Sequence, residues 1–229
     1  MISERTGERA VRTLVSALTL ATGGVIAGSA AAEAVTYDFA DPKGVNGVMF
    51  VLDSELEPFV GIGGGISGEV TYDAEDPTSF SGAISLDATT LQLVNGRMTD
   101  VMFGADWLNT EERATITVTF HGVASVDVAV PSDAEPAAPN EAEPETDKLY
   151  VDGTLTFGPF SIDKQFVIEP TVIEDGGTDR GAGAGDLLVL RSVFTVDRFD
   201  LGIENPGVNK VARSIEITVP IAGYAKASE

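Results

Sequence analysis

His121 is the only histidine in the chain, and there is no cysteine. A nucleophile activated by histidine, haem attachment through a Cys-x-x-Cys-His run and zinc held by His or Cys therefore all lack parts. His121 falls on the polar phase of a strand-like run, where it reads as a solvated side chain. The catalytic option left is a carboxylate pair of the kind that hydrolyses glycosidic bonds. Thirty-six Asp and Glu residues make some close pairs inevitable, so their abundance marks no site. Two stretches imitate ligand loops. Gly61-Ile62-Gly63-Gly64-Gly65-Ile66-Ser67-Gly68 opens a strand rather than a helix and lacks the Lys-Ser/Thr that grips phosphate, so it reads as a bent β-corner. Asp175 to Asp186 (DGGTDRGAGAGD) lacks the ligand order of a calcium loop and reads as a mobile hairpin tip. No metal and no cofactor is expected.

The elements that would position a site are strands. Twenty-five glycines and eleven prolines spread along the chain favour turns over long helices. Apolar residues recur with the two-residue period of a sheet with one buried side. Leu188, Leu190, Phe194 and Val196 alternate with Arg191, Thr195 and Asp197; Ile116, Val118 and Phe120 alternate with Thr115, Thr117 and Thr119; Ile84, Leu86 and Ala88 alternate with Ser85, Asp87 and Thr89. In the last long run Val211, Arg213, Ile215, Ile217, Val219 and Ile221 share one face. Val48 to Leu52 is apolar on both phases, which predicts a strand covered on both sides. One helix is expected, from Asn95 to Phe103, with Met98, Val101 and Met102 as its apolar stripe. The fold class is all-β: a closed antiparallel β-barrel of about eight strands with one short helix. A barrel of that size is just wide enough to be filled by side chains or to hold one slender ligand.

The ends and one interior segment read differently. Arg5, Arg9 and Arg12 precede an apolar run from Leu14 to Ile26 and then small residues through Ala34, the pattern of a secretory signal peptide over residues 1–34 cleaved after Ala32 or Ala34. A periplasmic or secreted location follows, without a lipoprotein anchor because no cysteine is present. Residues 131–147 (PSDAEPAAPNEAEPETD) hold four prolines, six acids and no aromatic, which predicts a disordered insertion. The domain itself spans 35–229. The formal charge of −22 opposes binding to nucleic acids and to anionic membrane surfaces, and stable membrane insertion is not expected. A homodimer is compatible with the sequence.

The run Phe194-Thr195-Val196-Asp197-Arg198-Phe199-Asp200-Leu201-Gly202-Ile203 resembles the signature with which YceI-like proteins enter their final hairpin. Further matches are Tyr37 with Asp41-Pro42, Gly68-x-Val70-x-Tyr72-Asp73 with Pro77, Asp106-Trp107-Leu108, and Gly153-Thr154-Leu155-Thr156-Phe157-Gly158. The resemblance covers roughly residues 35–223. It departs from the pattern where the family has His-Ser and a second His, since Lys43, Gly44 and Asp53 stand there. The resemblance implies a lipocalin-like barrel that encloses a polyisoprenoid or similar amphiphilic chain and is not an enzyme. The expected barrel wall is Phe50, Leu52, Ile84, Leu86, Met102, Trp107, Ile116, Val118, Phe120, Leu155 and Phe157, and the expected partner is an apolar long-chain ligand. The other reading is a filled barrel that acts through its surface as a structural or stress-related interaction module.

Overall fold

The computed structural model describes residues 34–55, 58–128, 147–181, 183–204 and 211–226. Eleven strands form one antiparallel sheet: β1 (Val35–Asp38), β2 (Val48–Ser54), β3 (Phe59–Gly63), β4 (Ile66–Tyr72), β5 (Ser81–Asp87), β6 (Gln92–Leu93), β7 (Thr115–Asp127), β8 (Lys148–Phe157), β9 (Phe160–Ile173), β10 (Leu187–Asp197) and β11 (Val211–Ala225). Eight of them close a ring in the order β1-β4-β5-β7-β8-β9-β10-β11, with β11 returning to β1. This is the expected eight-stranded barrel, in which every ring strand is paired on both sides along at least part of its length. The segments read as a signal peptide and as an acidic insertion lie outside the described residues, save for Ala34 and Asp147 at their edges.

The three remaining strands form a flap. The first half of β11 pairs with β2 through Met49↔Thr218 to Leu52↔Ile215, whereas its end pairs with β1 through Asp38↔Tyr224. One edge of β11 is thus shared by two strands. Beyond β2 lie β3 and the two-residue β6. No ladder joins β3 to β4 among the described residues. The Gly64-Gly65 corner is fastened instead by Thr90, whose hydroxyl accepts from the Gly64 N–H at 3.1 Å and lies 2.8 Å from the Gly64 carbonyl. The glycine-rich run is therefore a β-corner, as its strand context predicts.

Helix α1 (Gly96–Phe103) starts at Asn95, whose side chain accepts from the Arg97 N–H at 3.0 Å. That contact satisfies one of the donors a helix start leaves open. Residues 176–179 form a single turn, α2 (Gly176–Asp179), in which Gly176 and Gly177 are buried. The segment read as a mobile hairpin tip is thus folded back, and Arg180 at its end pairs with Asp41 at 3.1 Å.

Two readings of strand faces are corrected. β2 is not covered on both sides by the described residues: Met49 is 47% exposed and Val51 is exposed too, because none of the described elements packs over the outer face of the flap. Arg213 does not share the inward face of β11. A register shift between Val211 and Ile215 turns it outward, where it pairs with Asp197 at 2.6 Å.

Candidate ligand cavity

One end of the barrel is packed solid. Phe39, Phe80, Leu149, Leu188, Val70 and Val151 have essentially no exposure, and Tyr37 and Tyr72 pack with them. Rings then cross the interior edge to face: Tyr72 meets Phe80 at 6.0 Å, Phe80 meets Phe120 at 5.1 Å, Phe120 meets Phe166 at 6.0 Å and Phe166 meets Phe194 at 5.1 Å. Edge-to-face pairs of this kind favour a rigid layer. Above that layer the barrel is hollow.

The hollow end is a partly enclosed cavity of about 580 Å³. All eleven residues expected on the wall line it: Phe50 and Leu52 from β2, Ile84 and Leu86 from β5, Met102 from α1, Trp107 after it, Ile116, Val118 and Phe120 from β7, and Leu155 and Phe157 from β8. They meet because the ladders put their inward phases in register, Leu86↔Ile116↔Phe157 on one level and Ile84↔Val118↔Leu155 on the next. Trp107 is half-buried and lies 6.3 Å from the Phe59 ring.

Several lining residues escaped sequence reading. Phe166 on β9 and Phe194, Ile217 and Val219 on β10 and β11 complete the wall. Their alternation was a sufficient signal for the face but not for the level along the barrel. Val101 lines the cavity and is 57% exposed, so the mouth opens beside α1. Phe59, just before the Gly61 corner, faces Trp107 across the same end.

Polar groups are few. Ser192 faces the cavity but donates its hydroxyl to the Val167 carbonyl at 2.8 Å. Arg198, which sequence reading treated only as part of a motif, lines the interior and is 3% exposed. Its Nε donates to the Ala212 carbonyl at 3.1 Å, and its Nη1 donates to the Ile203 carbonyl. Burial lowers its pKa, an effect that Asp197 opposes and Arg213 reinforces. Arg113 braces the same end from outside the cavity: it donates to the Leu201 carbonyl at 3.0 Å and to the Trp107 carbonyl at 2.9 Å, with its guanidinium 4.7 Å over the Phe157 ring.

His121 is exposed, with Nε2 2.7 Å from the Thr154 hydroxyl. Among the described residues no cluster of three or more His, Cys, Asp or Glu could hold a metal ion. None of the described helices is long and apolar enough to cross a membrane.

The arrangement can sequester hydrocarbon. An apolar cavity of about 150 Å³ stays dry and takes up benzene. The cavity here is roughly four times larger, on a scale suited to a chain of about two dozen carbons.

Among solved structures, Burkholderia cenocepacia BcnA is similar at 17% identity, with 77% of this chain and 95% of that one covered and a TM-score of 0.57. A Campylobacter jejuni YceI protein is similar at 13% identity, covering 73% of this chain and 85% of its own, with a TM-score of 0.55. A polyisoprenoid-binding domain from Saccharophagus degradans, implicated in plant cell wall breakdown, is similar at 12% identity, with 85% and 100% covered and a TM-score of 0.52. At these identities the likeness shows the fold. Comparison with curated proteins finds no match. The YceI-like domain itself matches residues 46–222, a span that runs from the β1–β2 link to Ala222 in β11 and takes in every wall of the cavity, and the chain therefore belongs to the YceI-like domain family.

Proposed function

We propose that this chain is an exported, non-catalytic binding protein that encloses a long-chain isoprenoid or other amphiphilic lipid in its barrel, for transport, storage or sequestration. The observation that carries the reading is the cavity of about 580 Å³ walled by Leu, Ile, Val, Met, Phe and Trp side chains. Each methylene moved from water into such a space contributes about 0.8 kcal/mol, so a tail binds tightly without specific polar contacts. The polyisoprenoid-binding domain of Saccharophagus degradans, similar in fold, supports the ligand class. No Asp or Glu lines the cavity among the described residues, which leaves a carboxylate hydrolase without its pair there. The alternative of a wholly filled barrel fits only the end packed by Phe39, Phe80 and Leu149.

Organic extraction of the purified protein followed by mass spectrometry tests the reading. A long-chain lipid near one equivalent is expected, and clean extracts after expression in several hosts would overturn it. Val118→Trp, which places an indole in the middle of the wall, should remove the extracted lipid while the folded barrel persists by circular dichroism.

The homodimer that the sequence allows would use the outer face of the flap. Met49 lies directly across from Ile62 there, and Val51 across from Val60, and all four are exposed.

A further inference from the structure

The geometry points to selection of an anionic head group: the cavity takes an amphiphile that ends in a carboxylate or a phosphate, with Arg198 as the buried anchor and Arg97 at the rim. The inference rests on the lipid-binding reading above and adds the chemistry of the ligand's polar end. Acids outnumber bases 36 to 14 in this chain. Among the residues that line the cavity the balance is reversed: the charged ones are Arg97 and Arg198, and no Asp or Glu joins them. A chance sampling of this composition would favour carboxylates.

Arg198 is short of countercharge. A guanidinium at 3% exposure is costly unless it is paired. Its two hydrogen bonds go to neutral carbonyls, those of Ala212 and Ile203, and its guanidinium lies 4.5 Å over the Phe199 ring, with no ion pair to a carboxylate among the described residues. The nearest acid in sequence, Asp197, is engaged with Arg213 at 2.6 Å and accepts from the Phe199 N–H at 2.9 Å, so it acts on Arg198 through space rather than by contact. A guanidinium that lines an apolar chamber and contacts no carboxylate of the described residues matches the oxygen fork of a carboxylate or phosphate.

The position also fits an amphiphile. Arg198 opens the turn that contains Leu201, and Arg113 ties the Leu201 carbonyl to that of Trp107. Both arginines of the cavity therefore belong to the end where α1 leaves the mouth, and the aromatic floor of Phe120, Phe166 and Phe194 lies at the other end of the chamber. A bound chain would lie with its head among cations and its tail against rings.

The test uses the purified full chain, stripped of lipid, and tail-matched probes: palmitic acid against 1-hexadecanol, and farnesyl phosphate against farnesol, by fluorescence displacement at pH 7. The acidic member of at least one pair is expected to bind about tenfold more tightly or better. The pair that shows the larger ratio tells whether a fatty acid or a prenyl phosphate is the natural class. Arg198→Met should cut the acid-to-alcohol ratio to near one. Because Arg198 also supports Ala212 and Ile203, its loss can unfold the barrel; the wild-type ratios then decide, with Arg97→Gln at an exposed helix position as the second variant, expected to lower the ratio about threefold. Equal binding of acids and alcohols by the wild type, or a ratio unchanged in both variants, would overturn the anchor while leaving the lipid-binding reading intact. Failure of all four probes to bind would overturn both.

Discussion

Two polar side chains of the β1–β2 link fasten it to β11. Asn46, 6% exposed, stands where β11 passes from β2 to β1, and its amide imitates a missing strand: it donates to the Ala222 carbonyl at 2.8 Å and the Phe39 carbonyl at 3.1 Å and accepts from the Ala222 N–H at 2.9 Å. Asp41, its side chain 2% exposed, accepts from the N–H groups of Lys43 and Val45 at 2.9 Å, from the Tyr224 hydroxyl at 3.1 Å and from Arg180 at 3.1 Å. Burial alone would raise the Asp41 pKa, but those donors and the Arg180 charge together hold it below its ordinary 3.8. A depressed carboxyl stabilises the fold fully above the unfolded value, and the contribution is lost as pH falls through the lower folded one. Asp41→Asn is thus expected to cost about 2–4 kcal/mol near pH 7, with the gap to wild type narrowing as pH falls below the carboxyl's ordinary 3.8, as read from urea midpoints. Asn46→Ala, which strands three buried backbone groups, should cost a similar amount near pH 7 and in acid.

Among the elements, one long joint of the ring is only partly laddered, that between β9 and β10. Their ladder runs from Leu187↔Ile173 to Arg191↔Glu169 and goes no further among the described residues, although β9 continues back to Phe160 and β10 on to Asp197. Side chains close the gap. Ser192 reaches Val167, and Lys164 donates to the Thr195 carbonyl at 2.6 Å while its ammonium sits 5.2 Å over the Phe194 ring and 5.7 Å over Phe166. Those two rings are part of the cavity floor, so the joint is also a side wall. Removing the ammonium with Lys164→Ala forfeits a cation–π contact of about 1 kcal/mol and should speed exchange of a fluorescent fatty acid about fivefold, measured by stopped flow. An unchanged rate would mean that traffic passes only through the mouth beside α1. Nothing in the sequence marked this joint. Ile162, Lys164, Phe166 and Ile168 alternate as any strand does, and where a ladder stops depends on the tilt of the neighbouring strand. The inward phases of β5, β7 and β8 were legible because period two fixes them locally. Asn46 was not, since its three partners are 7 and 176 residues away along the chain.

At the scale of the whole molecule, two properties pull against each other. The formal charge is −22. The outer face of the flap nevertheless shows the cross-strand pairs Met49–Ile62 and Val51–Val60, which continue across β11 to Val193 through the Thr218 register. Whether the sheet leaves such a stripe bare could not be read from Val48 to Leu52, because apolarity on both phases looks the same whether the second face meets another layer of the chain, a second copy or water. Apolar contact between two flaps would favour pairing by removing about 25 cal/mol for each Å² of apolar surface taken from water, while two chains of this charge repel one another. Screening shifts the balance, since the Debye length falls from about 10 Å at 0.1 M salt to about 3 Å at 1 M. Sedimentation equilibrium should accordingly show monomer at low ionic strength and a dimer that strengthens as salt is added, the reverse of an association held by ion pairs. Ile62→Lys places a buried charge in the centre of that contact and should return the protein to monomer at every salt concentration. Dimerisation that survives Ile62→Lys, or monomer throughout the salt series in the wild type, would assign the exposed stripe no role in self-association.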